Sequence, residues 1–600
     1  ADIARIEVVP LTGAEFAADS RGGVILITLR RRRDGGMDGS LQFSTMQSNR
    51  IAGYTPSGRI GIRTGRWTLT ASGSGSFTPV AESRFTETRE QAGQRLPFAG
   101  RSDSKSCTNC GRGHFSAVFD PTPKHTAGFD IEYTERSTHM PTLSRTTLGQ
   151  TQSDSRYRQH MGGNTLTATA NYIWKIDTLG SQFKLIADYT RYTSHGDNSY
   201  HTTTSAPGTL RDSLYESSTG SVYDILTADA GLTRKLPHGL TLRAGLRYTR
   251  NGMADKSHYA AQTQGTWLAL PEYSYDQHYT EQIGAAYASL EYSAGRWELS
   301  AGLRGEYTSV ASQTLDRSYF GLFPNVSVSR ALNALRTWLL VAQWSRNIER
   351  PAFPALNPAR IRISDYSWQS GNPSLRPTYI HRFSLTAVWK YRYTLTVGGN
   401  LHHDLIREIA HRDETDPDAV YIRPENHYTE NHWFVAASVP AKITRWWNLS
   451  VNAVGVMQRI RLNSTDSPAT HYLMFADATC SFTLPAGFFA EAAYRAQSRL
   501  YSGNSEVGPR HTLSATVKKQ LFGKRLTLFC TLSNITGCDW EFASLTDGMR
   551  RTIDARQAWS GRLWKAGAAW NFRTGKKFRA RTVESAAETQ RERLVKSTEQ

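Results

Sequence analysis

Nowhere in this 600-residue chain is there an apolar run of about 18 residues, so no helix of it could cross a bilayer. Mean hydropathy is -0.49 and hydrophobic residues make up 39% of the sequence, which excludes a multi-span helical membrane protein. Cysteine is scarce: five residues with one CxxC, too few for a disulfide scaffold or a two-knuckle zinc site. Long Pro/Ser/Gly tracts and like-charge blocks are missing before the extreme C-terminus, so no linker divides the chain. There is no Gly-rich phosphate loop, no GxSxG elbow and no HExxH pair. Acid is also in deficit, giving a net charge of +19. The Lys and Arg are scattered over the chain rather than gathered in one helix or patch, which argues against nucleic acid. Spread guanidinium groups suit contact with phosphorylated glycolipid.

What is abundant is alternation. In Trp297–Tyr307, residues Trp297, Leu299, Ala301, Leu303, Gly305 and Tyr307 are apolar or small, while Glu298, Ser300, Gly302, Arg304 and Glu306 are polar or tiny. A period of two separates these sets onto the two faces of a strand. Leu240–Tyr248 repeats the pattern, as do Tyr393–Leu401 and Phe488–Ala496. Aromatics fall at strand ends and small aliphatics between them, as on a strand whose outer face meets lipid between two girdles. About ten residues is the length a tilted strand needs to cross. A soluble β-sandwich would also alternate, but would not need so many strands with such unequal connections. The fold class expected is therefore all-β: a transmembrane antiparallel β-barrel. On this reading Leu242, Leu299, Leu303 and Leu395 face lipid, while Arg243, Glu298, Arg304 and Thr396 line the lumen.

Short turns are expected at Thr64–Arg66, Pro121–Lys124, Asp177–Ser181, Lys235–Gly239, Ala294–Arg296, Asn333–Arg336, Lys390–Tyr393, Ala441–Arg445, Leu484–Gly487 and Phe522–Lys524. Between them fall long segments, read as extracellular loops: 78–114, 134–163, 194–221, 251–280, 347–378, 407–431 and 534–557. Strict alternation of short and long connections is the habit of outer-membrane barrels. Counting both kinds gives roughly 22 strands, the size associated with plugged transporters.

Two stretches carry a family resemblance. Near the N-terminus, Ile6-Glu7-Val8-Val9-Pro10-Leu11-Thr12-Gly13-Ala14-Glu15-Phe16 precedes a turn at Ser20–Gly23 and an apolar strand, Val24–Leu29. Farther on come Trp344–Phe353, Leu356-Asn357-Pro358 and Gly371-Asn372-Pro373-Ser374-Leu375-Arg376-Pro377, with Gly302–Arg304, Glu306–Thr308 and Leu322–Pro324 before them. Their order and spacing resemble TonB-dependent receptors. The resemblance implies residues 1–34 as the C-terminal end of a plug domain, with a basic hinge at Arg30–Gly36, ahead of a barrel over 39–572. The family usually stops at a terminal aromatic like Phe572; this chain departs from it, and 573–600, with no apolar face, reads as a polar periplasmic tail, disordered or a frayed helix. It implies an outer-membrane receptor taking up a scarce or bulky ligand (siderophore, haem, vitamin, glycan or peptide). Its partners would be outer-membrane lipid, lipopolysaccharide and the TonB complex, the latter reached through a coupling box upstream of Ala1. Ala1 opens in a polar context, so a processed or truncated N-terminus is expected. Without most of a plug, such a barrel is expected to leak small solutes. A passive channel or structural barrel is the rival reading, and a barrel enzyme a weaker one. No enzyme activity, cofactor or nucleic-acid partner is expected.

Candidate sites are few. Cys107 and Cys110 are read as a local disulfide in an outer loop, with zinc and redox alternatives short of ligands and context. Cys480 and Cys530 read as small hydrophobes on lipid faces, and Cys538 is left over in an outer loop. His402 and His403 fall on opposite faces and so do not form a metal pair; no metal site is expected. Ligand contact falls to loop residues Arg350, Asp365, Tyr366 and Trp368.

Overall fold

Backbone amides and carbonyls cannot remain unpaired in hydrocarbon, so a strand-built membrane protein has to close its sheet. This one does. The computed structural model describes residues 3–9, 14–19, 24–29, 35–91, 93–313, 315–414, 416–575 and 583–595. The expected turn at Ser20–Gly23 and the basic stretch Arg30–Asp34 lie outside those residues. Twenty-two antiparallel strands form the barrel, and it closes where Gly36–Gln47 pairs with Leu563–Gly575, from Gly36 opposite Gly575 to Gln47 opposite Trp564.

The short turns fall where the sequence places them. Pro237–Gly239 and Pro485–Gly487 are single 3-10 turns, each with Pro at its start. At Thr64–Trp67 the chain reverses through Gly65, whose φ of 55° lies in the left-handed region that glycine enters without steric cost. Trp67, Trp174, Trp297, Trp338, Trp389, Trp446 and Trp570 are exposed near this end of the strands. A second exposed ring comprises Tyr54, Tyr133, Tyr248, Tyr307, Trp344, Trp433, Tyr494 and Trp564. The band between them carries Leu242, Leu299, Leu303 and Leu395 outward, while Arg304 is buried inside.

Several expected loops are strand instead. Segments 78–114, 134–163, 194–221 and 251–280 lie mostly within strands of 20 to 29 residues, between Trp67 and Ala294. These hairpins turn near Gly93, Gly149, Gly208 and Gly265, all with positive φ. The reason lies in composition: the segments are rich in β-branched Thr and in Ser, and neighbouring hairpins satisfy each other's backbone edges. One side of the barrel thus rises as a tall wall above the membrane. The hairpin Trp540–Thr546/Met549–Arg556 pairs with strand Trp67–Gln91 and extends that wall across the closure.

Two segments enter the lumen. The N-terminal strands β1 (Ile3–Val9) and β2 (Val24–Leu29) form a two-stranded antiparallel sheet, and residues 14–19 between them dock on the inner wall. At Gly302 a Cβ would stand 2.8 Å from the Ala14 Cβ, so the absence of a side chain there lets the two backbones approach. The second segment corrects an expectation. Residues 583–595, assigned from sequence to a periplasmic tail, lie inside the barrel, and helix α2 (Glu588–Val595) packs against its wall. A short, polar segment gives no apolar periodicity from which such docking could be read.

Candidate functional site

Alternation sends polar side chains inward, and several of these converge. Glu306 accepts hydrogen bonds from Arg304 Nε at 2.6 Å and from Arg350 Nη2 at 2.6 Å. Arg350 also donates to Thr308 at 3.1 Å and stands 3.7 Å from Asp19 of the docked N-terminal segment. Beside this group, Arg247 pairs with Asp229 at 2.8 Å and donates to the Glu15 carbonyl at 3.3 Å. The Ala18 carbonyl accepts from Ile348 N and Asn347 Nδ2. Arg304, Glu306 and Arg350 are all fully enclosed. Arg350 was expected in a ligand-contacting loop; it stands at the end of strand Trp338–Glu349 instead and is taken up by the wall and residues 14–19.

The other three expected ligand residues belong to one structure. The connection from Arg350 to Pro377 folds over the mouth through α1 (Phe353–Leu356) and a small hairpin, Ile361–Ser364 with Ser367–Gln369. Asp365 at its tip accepts from Ser155 Oγ at 2.7 Å, Tyr157 OH at 2.7 Å, Thr202 Oγ1 at 3.3 Å and Arg362 at 3.0 Å. Tyr366 lies edge-on to Phe98, and burial followed by the nearby Asp416 and Asp365 charges holds its phenol above the usual range. Trp368 stacks nearly parallel on Tyr273, with rings 6.3 Å apart, and Arg362 lies over it at 5.3 Å. The Leu-Asn-Pro and Gly-Asn-Pro motifs meet here: Gly371 N donates to the Asn357 carbonyl and Asn372 N to the Ala355 carbonyl. A Cβ on Gly371 would fall 2.1 Å from that Asn357 oxygen, so only glycine fits. Asp365 therefore fastens the loop to the far wall.

Sequence reasoning missed a second inward cluster. Glu430 is fully buried and accepts from Gln458 Nε2 at 2.8 Å and Arg407 at 3.2 Å, with His432 Nε2 at 2.8 Å. His402 faces inward beside His432 and donates from Nδ1 to the Glu430 carbonyl, whereas the His403 side chain is exposed. The signal was a set of inward positions on three neighbouring strands, legible only once register is known. Among the described residues no group of three or more His, Cys, Asp or Glu is arranged to hold a metal.

The expected disulfide is also corrected. Cys107 and Cys110 lie in the strand Gln94–Thr122, not in a loop, and both thiols are free. Three residues along a strand span about 10 Å and end on opposite faces, beyond the roughly 7 Å that a bridge tolerates.

Residues 174–563 match the outer membrane protein beta-barrel family. The chain belongs to that family. No curated protein sequence matches it. Among solved structures, this family member is similar to the siderophore receptor PirA from Pseudomonas aeruginosa, at 13% identity and TM-score 0.57, over 95% of this chain and 87% of that one. A variant of the ferric enterobactin receptor PfeA from the same organism gives 14%, 0.59, 95% and 85%. The copper transporter OprC gives 12%, 0.61, 94% and 85%. The outer-membrane barrel family and this 22-strand architecture place the chain in the outer membrane, with the fold of TonB-dependent receptors.

Proposed function

We propose that this barrel is an energy-coupled receptor that takes up a ligand too bulky or too scarce for passive pores. The observation that carries the reading is the enclosure of Arg304, Glu306 and Arg350. In an open water-filled channel of this width, wall charges would be hydrated. Here residues 14–19, α2 and the Arg350–Pro377 loop cover them, which supports a gated lumen over an open channel. Capture falls to the tall extracellular wall and to the loop carrying Asp365, Tyr366 and Trp368. Energy would come from a TonB-type complex acting on the N-terminal region. The siderophore and copper receptors among the similar structures make metal chelates the first ligands to try.

The test is accumulation of 55Fe-loaded siderophores and of copper ions by cells producing the full-length protein, with and without a protonophore. Uptake that the protonophore abolishes is expected. Uptake that survives the protonophore would make this a passive channel.

A further inference from the structure

Four carboxylates of the inner wall stand close to the docked segments: Asp188, Asp229, Glu281 and Glu306. All four are buried. The wall's own arginines account for two of them, since Arg247 pairs with Asp229 while Arg304 and Arg350 pair with Glu306. Among the described residues, Asp188 and Glu281 have no wall arginine within ion-pair distance. These two are the carboxylates that the C-terminal segment engages. Ala586 N donates to Asp188 at 2.8 Å. Arg593 pairs with Glu281, reaching Oε2 through Nη1 and Oε1 through Nη2 at 3.5 Å.

The Arg593 guanidinium is enclosed on every side. Its Nε donates to the Pro351 carbonyl at 3.0 Å, Nη1 donates to Gln590 at 2.8 Å, and its carbon lies 4.2 Å above the Phe353 ring. Glu281 receives a further bond from Asn251 Nδ2 at 2.8 Å, and Gln590 bridges Asn251 and Asp19. Leu594 joins the apolar cluster of Tyr223, Met253, Phe353 and Leu356. A buried carboxylate demands a cation, and a planar fork over an aromatic ring is what a guanidinium fills better than an ammonium.

We propose that Glu281, the Pro351 carbonyl and Phe353 form a guanidinium site in the lumen whose built-in occupant is Arg593. The C-terminal segment is then an intramolecular ligand. It occupies part of the lumen and ties the mouth loop, through Pro351 and Phe353, to the N-terminal segment, through Asp19. Withdrawal of Arg593 removes the one ion pair to Glu281 among the described residues, leaving it Asn251 and the more distant Arg350 charge, so the segment stays seated until another cation or a movement of the loop displaces it. The site is the same whether or not the barrel is energised.

Ala587, fully buried beside the wall, is a neutral reporter. In the full chain with its five cysteines replaced by serine, Ala587→Cys should react with a maleimide at least about 100-fold more slowly in the folded barrel than after denaturation. Arg593→Met, which leaves the wall untouched, should raise that rate by tenfold or more, and Glu281→Gln should do the same. Arg593→Lys should give an intermediate rate, as an ammonium fits the fork less well. Single-channel conductance of the Arg593→Met protein should rise in parallel. Labelling of the folded protein at the denatured rate would overturn the proposal. So would protection that neither Arg593→Met nor Glu281→Gln relieves, because the segment would then be held by something other than this site.

Discussion

Leu303 and Arg304 are adjacent in sequence and stand on opposite sides of the barrel wall: Leu303 is 49% exposed on the outer face, Arg304 2% exposed within. The contrast follows from the strand period alone, and it fixes which substitutions the membrane will resist. Leu303→Arg puts a guanidinium against hydrocarbon near mid-bilayer and should destabilise the barrel by roughly 2–4 kcal/mol, read from urea titrations in lipid vesicles. Trp297→Arg, at the aromatic girdle, should cost about 0–1 kcal/mol in the same assay.

The ion group around Glu306 makes a different demand. Arg350→Met leaves a buried carboxylate with one partner fewer and should cost about 3–5 kcal/mol. The triple variant Arg304→Met/Glu306→Gln/Arg350→Met should recover part of that loss, because no member of the trio then keeps an unpaired charge, whereas neutralising Glu306 with Arg304 in place would strand that guanidinium. Equal instability of the triple and single variants would show that Arg350 acts through packing.

Asp365 fastens the mouth loop. Replacing it by Ala strands Arg362 and removes the acceptor of Ser155 and Tyr157. Charged hydrogen bonds contribute about 1.5–3 kcal/mol each, so trypsin cleavage after Arg360 and Arg362 should quicken about tenfold or more. An unchanged rate would mean that the Trp368–Tyr273 stack holds the loop by itself.

At the periplasmic turn after Lys175, Asp177 caps the chain. Its Oδ1 accepts from the backbone amides of Leu179, Gly180 and Ser181 at 2.9 to 3.0 Å. Hydrogen bonding from Ser181, then from Leu179 and Gly180, holds the carboxyl below its ordinary value. A depressed carboxylate stabilises the folded turn above its unfolded pKa, about 3.9, and loses that contribution as pH falls through the folded value. Amide exchange over 176–182, scaled to intrinsic rates, should accelerate below about pH 4. The Asp177→Ala protein should show fast exchange at every pH.

Cys107 and Cys110, on opposite faces of one strand, should both alkylate without reductant, and the mass of the peptide holding them should not change on reduction. A mass two daltons lower before reduction would restore the disulfide.

Fold class, strand count, the short turns and the sidedness of residues such as Leu299 and Arg304 were legible in the order of residues alone. Each of these follows from a period of two, acting over a few residues against a flat boundary of lipid. Tertiary structure decided the rest. The Thr- and Ser-rich segments beyond the membrane read as loops because polarity hides their alternation; only pairing with neighbouring hairpins made them strands. Cys107 and Cys110 changed from a loop pair into two faces of one strand for the same reason. Arg350, Glu281 and Glu430 look like ordinary charges in sequence, since nothing local says that their partners lie tens to hundreds of residues away. Arg593 sits 312 positions from Glu281, on a segment with no apolar stripe. Its burial depends on a single cation meeting a carboxylate that the wall leaves unpaired, and that complementarity exists only once the barrel has closed.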